Sequence, residues 1–281
     1  MKSIKLILSM AFLATLCFSC EKQEENEAPV ETAIGEDTEA KEVLFNNHVP
    51  TTILKVNGEE VAVGDLGNGE YLYNGDIVVS ETDLSEFLSD QEGVKANWAG
   101  ARRWANRTIY YQFASGFSSS KRNTVLSAMR HISSRTRIRF VQGRGNYVNI
   151  FTDARGGNYA TVGMAGGRQS FSLGRNNLGV AIHELGHTIG LHHEHSRPDR
   201  DRHIRINWNA IPSDSRSNFR KTGNNYGRFD WNSIMLYPSR TRNGVSDMVS
   251  ISTGRPFNNA IESGRNYLSS GDIACINAYY R

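Results

Sequence analysis

Cysteine is scarce in this chain: Cys17, Cys20 and Cys275 are the only three among 281 residues. Two of them lie in the N-terminal apolar segment, so Cys275 stands alone in Ala96–Arg281 and no disulfide can form there. Exported proteins ordinarily exploit an oxidising compartment for cross-links; this one has to hold its fold without them. Glu21–Lys95 contains no cysteine at all, so no thiol of that segment can bond to the rest of the chain. Long hydrophobic runs are also few. The first twenty residues place Lys2 and Lys5 before the largely apolar Leu6–Phe18. That run is too short and wrongly flanked for a spanning helix and reads as a secretory signal over residues 1–20.

Acidic residues are in short supply over most of the chain, and their distribution divides it. Glu21–Lys95 holds 19 acidic and 4 basic residues, whereas Ala96–Arg281 holds 10 acidic and 26 basic, 24 of them arginine. A net charge of +3 therefore conceals two strongly opposed parts. Such asymmetry fits a basic nucleic-acid domain with an acidic tail. The arginines are scattered, however, with no dense basic run and no nucleic-acid motif. An acidic segment docking on a basic domain explains the pattern better, and no nucleic-acid partner is expected.

The segment ends Leu16-Cys17-Phe18-Ser19-Cys20, which resembles a loose lipobox with Cys20 as the residue to be lipidated; ordinary signal cleavage is the alternative. One acylated terminus would tether the protein to a membrane surface without spanning it. Residues from Glu21 to about Thr38 are Glu-rich and aperiodic, as in a solvated tether, and order is expected from near Val43. Alternating runs at Ile53–Val56, Glu60–Val63, Tyr71–Tyr73 and Ile77–Val79 read as short strands separated by Asn/Gly turns, followed by a helical turn at Asp83–Leu88. So small a core is expected to fold only against something else. From about Ala96 onwards there is enough chain for one domain. Strands are expected at Thr108–Ala114, Arg137–Gln142, Tyr147–Phe151, Tyr159–Val162 and Gln169–Leu173. Helices are expected at Ser118–Arg135, from near Asn177, and at Ser270–Tyr280, the last with Ser269 and Asp272 as a capping pair. The organisation is thus 1–20, 21–95 and 96–281, with an α+β fold in the third part.

The most informative string is His183–Asp201, HELGHTIGLHHEHSRPDRD. His183 and His187 stand four apart, which on a helix puts both imidazoles on one face, one turn apart. Gly190 permits a sharp reversal that returns His193 as a third ligand. Three neutral imidazoles leave one corner of a tetrahedral zinc open to water, the mark of a catalytic site. Glu184 is placed to take that water's proton and hand it to a leaving amine. His192, His195 and His203 are out of register with the three and are read as non-ligands.

The HExxHxxGxxH frame resembles the metzincin metallopeptidases, and its continuation through Arg197, Asp199, Arg200 and Asp201 resembles the astacin family in particular. That resemblance implies a two-lobed catalytic domain: a mixed, twisted sheet with helices, then a mostly irregular lobe with a closing helix. It also implies a zinc endopeptidase made as a precursor. Ser233-Ile234-Met235-Leu236-Tyr237 resembles the family's methionine turn, with Leu236 in place of the usual His. By the resemblance Met235 floors the metal, and Tyr237 reaches it and stabilises the oxyanion. Tyr73-Asn74-Gly75-Asp76-Ile77 resembles the prosegment motif whose Asp blocks the open zinc position, with Tyr73 for Phe. Without the family, Asp76 is a turn residue and Tyr237 a core residue.

Further roles follow from the resemblance alone. Glu194 would form a buried salt link with the new N-terminus after processing, with Lys95, Arg102 and Arg103 as candidate cleavage points by side chain. Tyr159, Ala160 and Thr161 would form the edge strand that pairs with substrate. The family's usual disulfides are absent, with Asn158 and Asn176 near the corresponding places, and Cys275 is expected to be a buried thiol. Expected partners are protein or peptide substrates, the chain's own prosegment as inhibitor, an activating protease, and a membrane surface through Cys20 if acylated. The expected location is secreted or lipid-anchored at the outer surface, with release of the catalytic domain on processing. Two other readings remain at this point: a catalytically silent binding protein or adhesin, and a zinc hydrolase acting on a non-peptide bond.

Overall fold

Three Asn-Gly pairs shape the first part of the fold. Asn57-Gly58, Asn68-Gly69 and Asn74-Gly75 all adopt positive φ, between 51° and 93°, the backbone that tight antiparallel turns demand. They connect β1 (Thr51–Val56), β2 (Glu59–Gly67), β3 (Glu70–Tyr73) and β4 (Ile77–Val79), each antiparallel to the one before. Helix α1 (Glu81–Ser89) follows, capped by Ser80, whose N–H and hydroxyl both donate to the Asp83 carboxylate. This computed structural model describes residues 49–89 and 102–281. The expected signal segment with Cys17 and Cys20, the expected start of order near Val43 and the cleavage candidate Lys95 lie outside the described residues.

Beyond residue 102 the strands are β5 (Thr108–Phe113), β6 (Arg139–Gln142), β7 (Tyr147–Phe151), β8 (Tyr159–Thr161) and β9 (Arg168–Ser172). Each lies within two residues of its sequence expectation. All nine strands share one sheet in the order β1-β2-β3-β4-β8-β9-β7-β5-β6. β5, β6, β7 and β9 run parallel to one another, β8 is antiparallel to β9, and β4 joins β8 in parallel register. The strand expected at an edge, Tyr159–Thr161, is therefore interior: β4 covers it, with Ile77 opposite Ala160 and Val78 opposite Thr161. It is an edge only of the sheet that remains when β1–β4 are taken away.

Helix α2 (Ser119–Ser133) starts where the Ser118 hydroxyl accepts from Lys121 N, and it buries Val125, Ala128, Met129 and Ile132. Leu126, beside that stripe, is only partly covered. Helix α3 (Leu178–Ile189) is capped by Asn177, and every residue from Gly179 to Ile189 is buried. Helix α4 (Ser270–Tyr279) has the expected capping box between Ser269 and Asp272. Between α3 and α4 regular structure is sparse: 3-10 turns, a two-strand pairing of Ile204–Ile206 with Met248–Ser250, and a small hairpin at 241–246.

Four apolar clusters hold these parts. Two of them, one around α2, α3 and the sheet and one around Phe219, Leu236, Tyr237 and Met248, contain no residue before Trp104. The other two are centred on β1–β4, with Val49 and Leu84, and are completed by Tyr159 and Val162, with Phe151 against one of them. The N-terminal strands thus do fold against something else, as their small core requires. Among the described residues no helix is long and apolar enough to cross a membrane. Cys275, the free thiol among them, is partly buried on α4, and burial pushes its pKa up to about 12.

Candidate metal centre

His183 and His187 project from one face of α3. The helix stops at Gly190, whose φ of +120° and 2.9 Å clearance between a notional Cβ and the Tyr279 ring leave no room for a side chain. Leu191 N then bonds Gly186 O, the Leu191 carbonyl accepts from His187 Nδ1 at 2.8 Å, and His193 follows two residues on. Nδ1 of His183 donates to the Ile234 carbonyl at 2.7 Å. Both Nδ1 protons are committed to backbone carbonyls, so the Nε2 lone pairs point inward.

The three Nε2 atoms meet in a fully buried space. His193 Nε2 lies 3.1 Å from that of His187 and 3.3 Å from that of His183. Lone pairs facing one another at that distance repel unless a cation lies between them. A tetrahedron with bonds of about 2.0 Å to zinc has an edge of about 3.3 Å, so the spacing suits that ion. The donor set therefore fits a single zinc. Asp76 completes it: Oδ1 is 3.1 Å from His193 Nε2 and 3.3 Å from His187 Nε2, and Oδ2 is 3.2 Å from His183 Nε2. These four residues are the group of His, Cys, Asp and Glu side chains able to share a metal among the described residues. His192, His195 and His203 fall outside it.

Around this point the other expected residues assemble. The Tyr237 hydroxyl lies 2.9 Å from Asp76 Oδ2 and 3.0 Å from the Asn74 carbonyl. Its ring packs on His193 and His195, with centroids at 4.2 and 4.4 Å. Burial, followed by the charge of Asp76, pushes its pKa well above the usual phenol value. Glu184 is wholly buried on α3, and neither carboxylate oxygen has a hydrogen-bond partner among the described residues. Burial and then the Asp76 charge hold its carboxyl well above the usual range. Asp76 goes the other way: burial alone would raise it, but His193, His187 and His183 together draw it well below. Met235 lies beneath α3, where a Cβ on Gly186 would come within 2.7 Å of its sulfur. Glu194 accepts from Arg197 Nη1 at 3.1 Å and from Asp230 N at 2.7 Å. Burial pushes it up to about 7 against the pull of Arg197. It borders a cavity of about 60 Å³ that also touches Asp230, Asp272 and Cys275.

Several contributors had no signature in the sequence. Asp272 was legible as a helix cap, yet it also accepts from Ser233 Oγ at 2.7 Å and Ile234 N at 3.0 Å, holding the methionine turn. Asn74 looked like a turn residue, but its fully buried amide meets Thr222 Oγ1 at 3.1 Å and the Asn218 carbonyl at 2.8 Å. Arg155 gives Nη1 and Nη2 to the Asp65 and Leu66 carbonyls, at 3.2 and 3.5 Å. Only the hint that opposed charges dock one part on the other pointed this way. Among the described candidate cleavage residues, Arg103 donates to the Tyr279 carbonyl and Arg102 to that of Ala165.

Residues 97–281 match the family model for the astacin peptidases. The zinc metalloproteinase nas-15 of Caenorhabditis elegans is 33% identical over 247 residues, 80% of this chain but only 42% of its own length. High choriolytic enzyme 1 of Oryzias latipes is 34% identical over 199 residues, 65% of this chain and 71% of its own. The solved structure of that hatching enzyme, a zinc-protease, superposes with a TM-score of 0.57 at 31% identity, covering 64% of this chain and 94% of the other. With a family match across two thirds of its length and a buried three-histidine cluster spaced for one ion, the chain belongs to the astacin family of zinc metallopeptidases.

Proposed function

We propose that this chain is the latent precursor of a zinc endopeptidase, organised as signal (1–20), tether and prosegment (21–95) and catalytic domain (96–281). His183, His187 and His193 hold the zinc, Glu184 is the general base, Tyr237 steadies the oxyanion, and Asp76 keeps the site closed. The observation that carries this reading is the convergence of three Nε2 atoms, one Asp76 carboxylate and the Tyr237 hydroxyl on one buried point.

When bound, zinc supplies Lewis acidity, polarising a peptide carbonyl and making water acidic enough to react near neutral pH. Everything else falls to the chain's own residues. Burial first and the Asp76 charge second hold the Glu184 carboxyl high; departure of the prosegment admits water and removes that charge, so Glu184 can ionise, accept a proton from the attacking water and return it to the leaving amine. The same departure frees the Tyr237 hydroxyl from Asp76 and Asn74 to donate to the developing oxyanion. Edge strand β8, uncovered, offers main-chain groups to an extended peptide. Glu194 with its adjoining cavity is suited to receive the new amino terminus, which would supplement Arg197 as its cationic partner. Export follows from the N-terminal signal, and acylation of Cys20 would make prosegment cleavage also a release from the membrane.

Substitution of Glu184 by Gln separates base from ligand. Zinc content by mass spectrometry should stay at one per chain, while cleavage of an unstructured protein by the processed enzyme falls about 10²–10⁴-fold. Undiminished cleavage would remove Glu184 from the mechanism. Substitution of Asp76 by Ala should raise the activity of the uncut precursor, and unchanged latency would overturn the blocking role.

A further inference from the structure

The interface between prosegment and catalytic domain carries information about substrate. β4 leaves the histidines at Asp76 and runs along β8, past Ala160 and then Thr161. A peptide added to the same edge in the antiparallel sense, the more stable pairing per residue, would lay its residues before the scissile bond along Thr161 and Val162. Side chains alternate across a sheet. On β9 Phe171 faces the core, fully buried, while Arg168 is exposed and Ser170 half-buried on the opposite face. Thr161, bonded through Oγ1 to Ser170 N at 3.1 Å, joins them there.

In the precursor that face is occupied by a carboxylate. Glu70 of β3 lies across it, and Ser170 Oγ sits 3.0 and 3.1 Å from its two oxygens. Beside this contact is a cavity of about 640 Å³, with Glu70, Asp83 and Glu86 on the prosegment wall and Arg102 and Arg168 on the other. Arg168 makes no ion pair among the described residues. When the prosegment leaves, its three carboxylates go with it, and no acidic residue remains among those lining the space.

We propose that Arg168 and Ser170, with Arg102 across the cavity, form a subsite that selects an acidic side chain on the N-terminal side of the scissile bond. The proposal rests on the peptidase reading above and names the substrate chemistry of that same cleft. Glu70 is then a stand-in for the substrate carboxylate: Ser170 Oγ donates to it, and a substrate carboxylate in its place would gain the opposite charge of Arg168 beside the same space.

The test uses zinc-loaded, processed enzyme and quenched fluorogenic peptides carrying Glu or Gln at each position before a common cleavage site. At one of those positions Glu should be preferred over Gln on the order of fivefold in kcat/KM, the scale of a partly exposed charge pair. Arg168→Ala should reduce that ratio towards one by slowing the Glu peptide more than the Gln peptide, and Arg168→Glu should turn the preference towards Lys. Peptide binding to the Glu184→Gln enzyme, followed by fluorescence polarisation, should repeat the Glu-over-Gln ratio without turnover. Equal rates for Glu and Gln peptides would overturn the subsite. So would a preference for Glu that is the same at every position and unmoved by Arg168→Ala, since that would mark general attraction to a basic domain. Absence of cleavage of any peptide, with the Glu184→Gln variant no different from the parent, would instead sink the peptidase reading itself.

Discussion

Residues 49–89 and residues 102–281 are stabilised in contrasting ways. The longer part carries its own apolar clusters, to which no residue before Trp104 contributes. The shorter part has two small clusters that borrow Tyr159 and Val162 from its neighbour. It is further held by a few polar grips: Asp76 on the histidines, Asn74 on Thr222 and Asn218, Arg155 on two carbonyls, Ser217 Oγ on the Ala62 carbonyl, and Arg220 on Glu59. The lesson is asymmetry of dependence. The apolar clusters of the longer part would survive loss of residues 49–89, whereas those of the shorter part would be broken by it. That asymmetry is what the proposed removal of residues 49–89 as a prosegment would require.

Breaking this contrast has graded consequences. Stripping zinc with a chelator should abolish cleavage and also loosen the cover, since Asp76 would lose its cation; proteolytic nicking within residues 49–89 should accelerate, read by timed digestion. Asp76→Ala should raise precursor activity by roughly tenfold or more, the equivalent of about 1.4 kcal/mol of lost grip. Gly75→Ala should act in the same direction, because a Cβ there would sit 2.6 Å from the Tyr237 hydroxyl at a φ of +93°. A precursor of either variant that stays as silent as the parent would erase the contrast.

Within the larger part, Asp272→Ala should cost about 1–3 kcal/mol by stranding buried donors at Ser233 and Ile234. It should lower the melting temperature of the processed enzyme by roughly 5 °C; an unchanged value would show that the methionine turn holds itself. A pH scan sharpens the comparison further. Burial lifts Glu194 to about 7 in the precursor, above its unfolded value of about 4.3. Its contribution to stability is therefore full below about pH 4.3 and lost as pH rises towards 7. The stability of zinc-loaded precursor minus that of its Glu194→Gln variant should fall across that window, and a flat difference would remove the shift. Smallest of all is Arg220→Ala, whose partner Glu59 is largely exposed. It should change prosegment affinity by no more than about 1 kcal/mol.

Much of the local architecture was legible in the sequence. Strand and helix periods, the Ser269–Asp272 capping pair and the Asn/Gly turns announce themselves over a few residues, and the structure follows them closely. The histidine triad was legible for the same reason, since all three ligands lie within eleven residues of one helix and its reversal. Asp272 and Asn74 show where that ends: each has an ordinary local role, cap or turn, and a second partner more than thirty residues away. Nothing in local periodicity encodes the second role.

What the sequence alone determined, then, is the chemistry: a helical i, i+4 pair, a glycine reversal and a third imidazole dictate a metal site through bond geometry and short-range sterics. What only the tertiary structure decided is the state of that site. Asp76 reaches His183 across 107 positions, and β4 covers β8 rather than leaving it open. Such pairings are set by the packing of whole surfaces, a global compromise that no short stretch of chain contains.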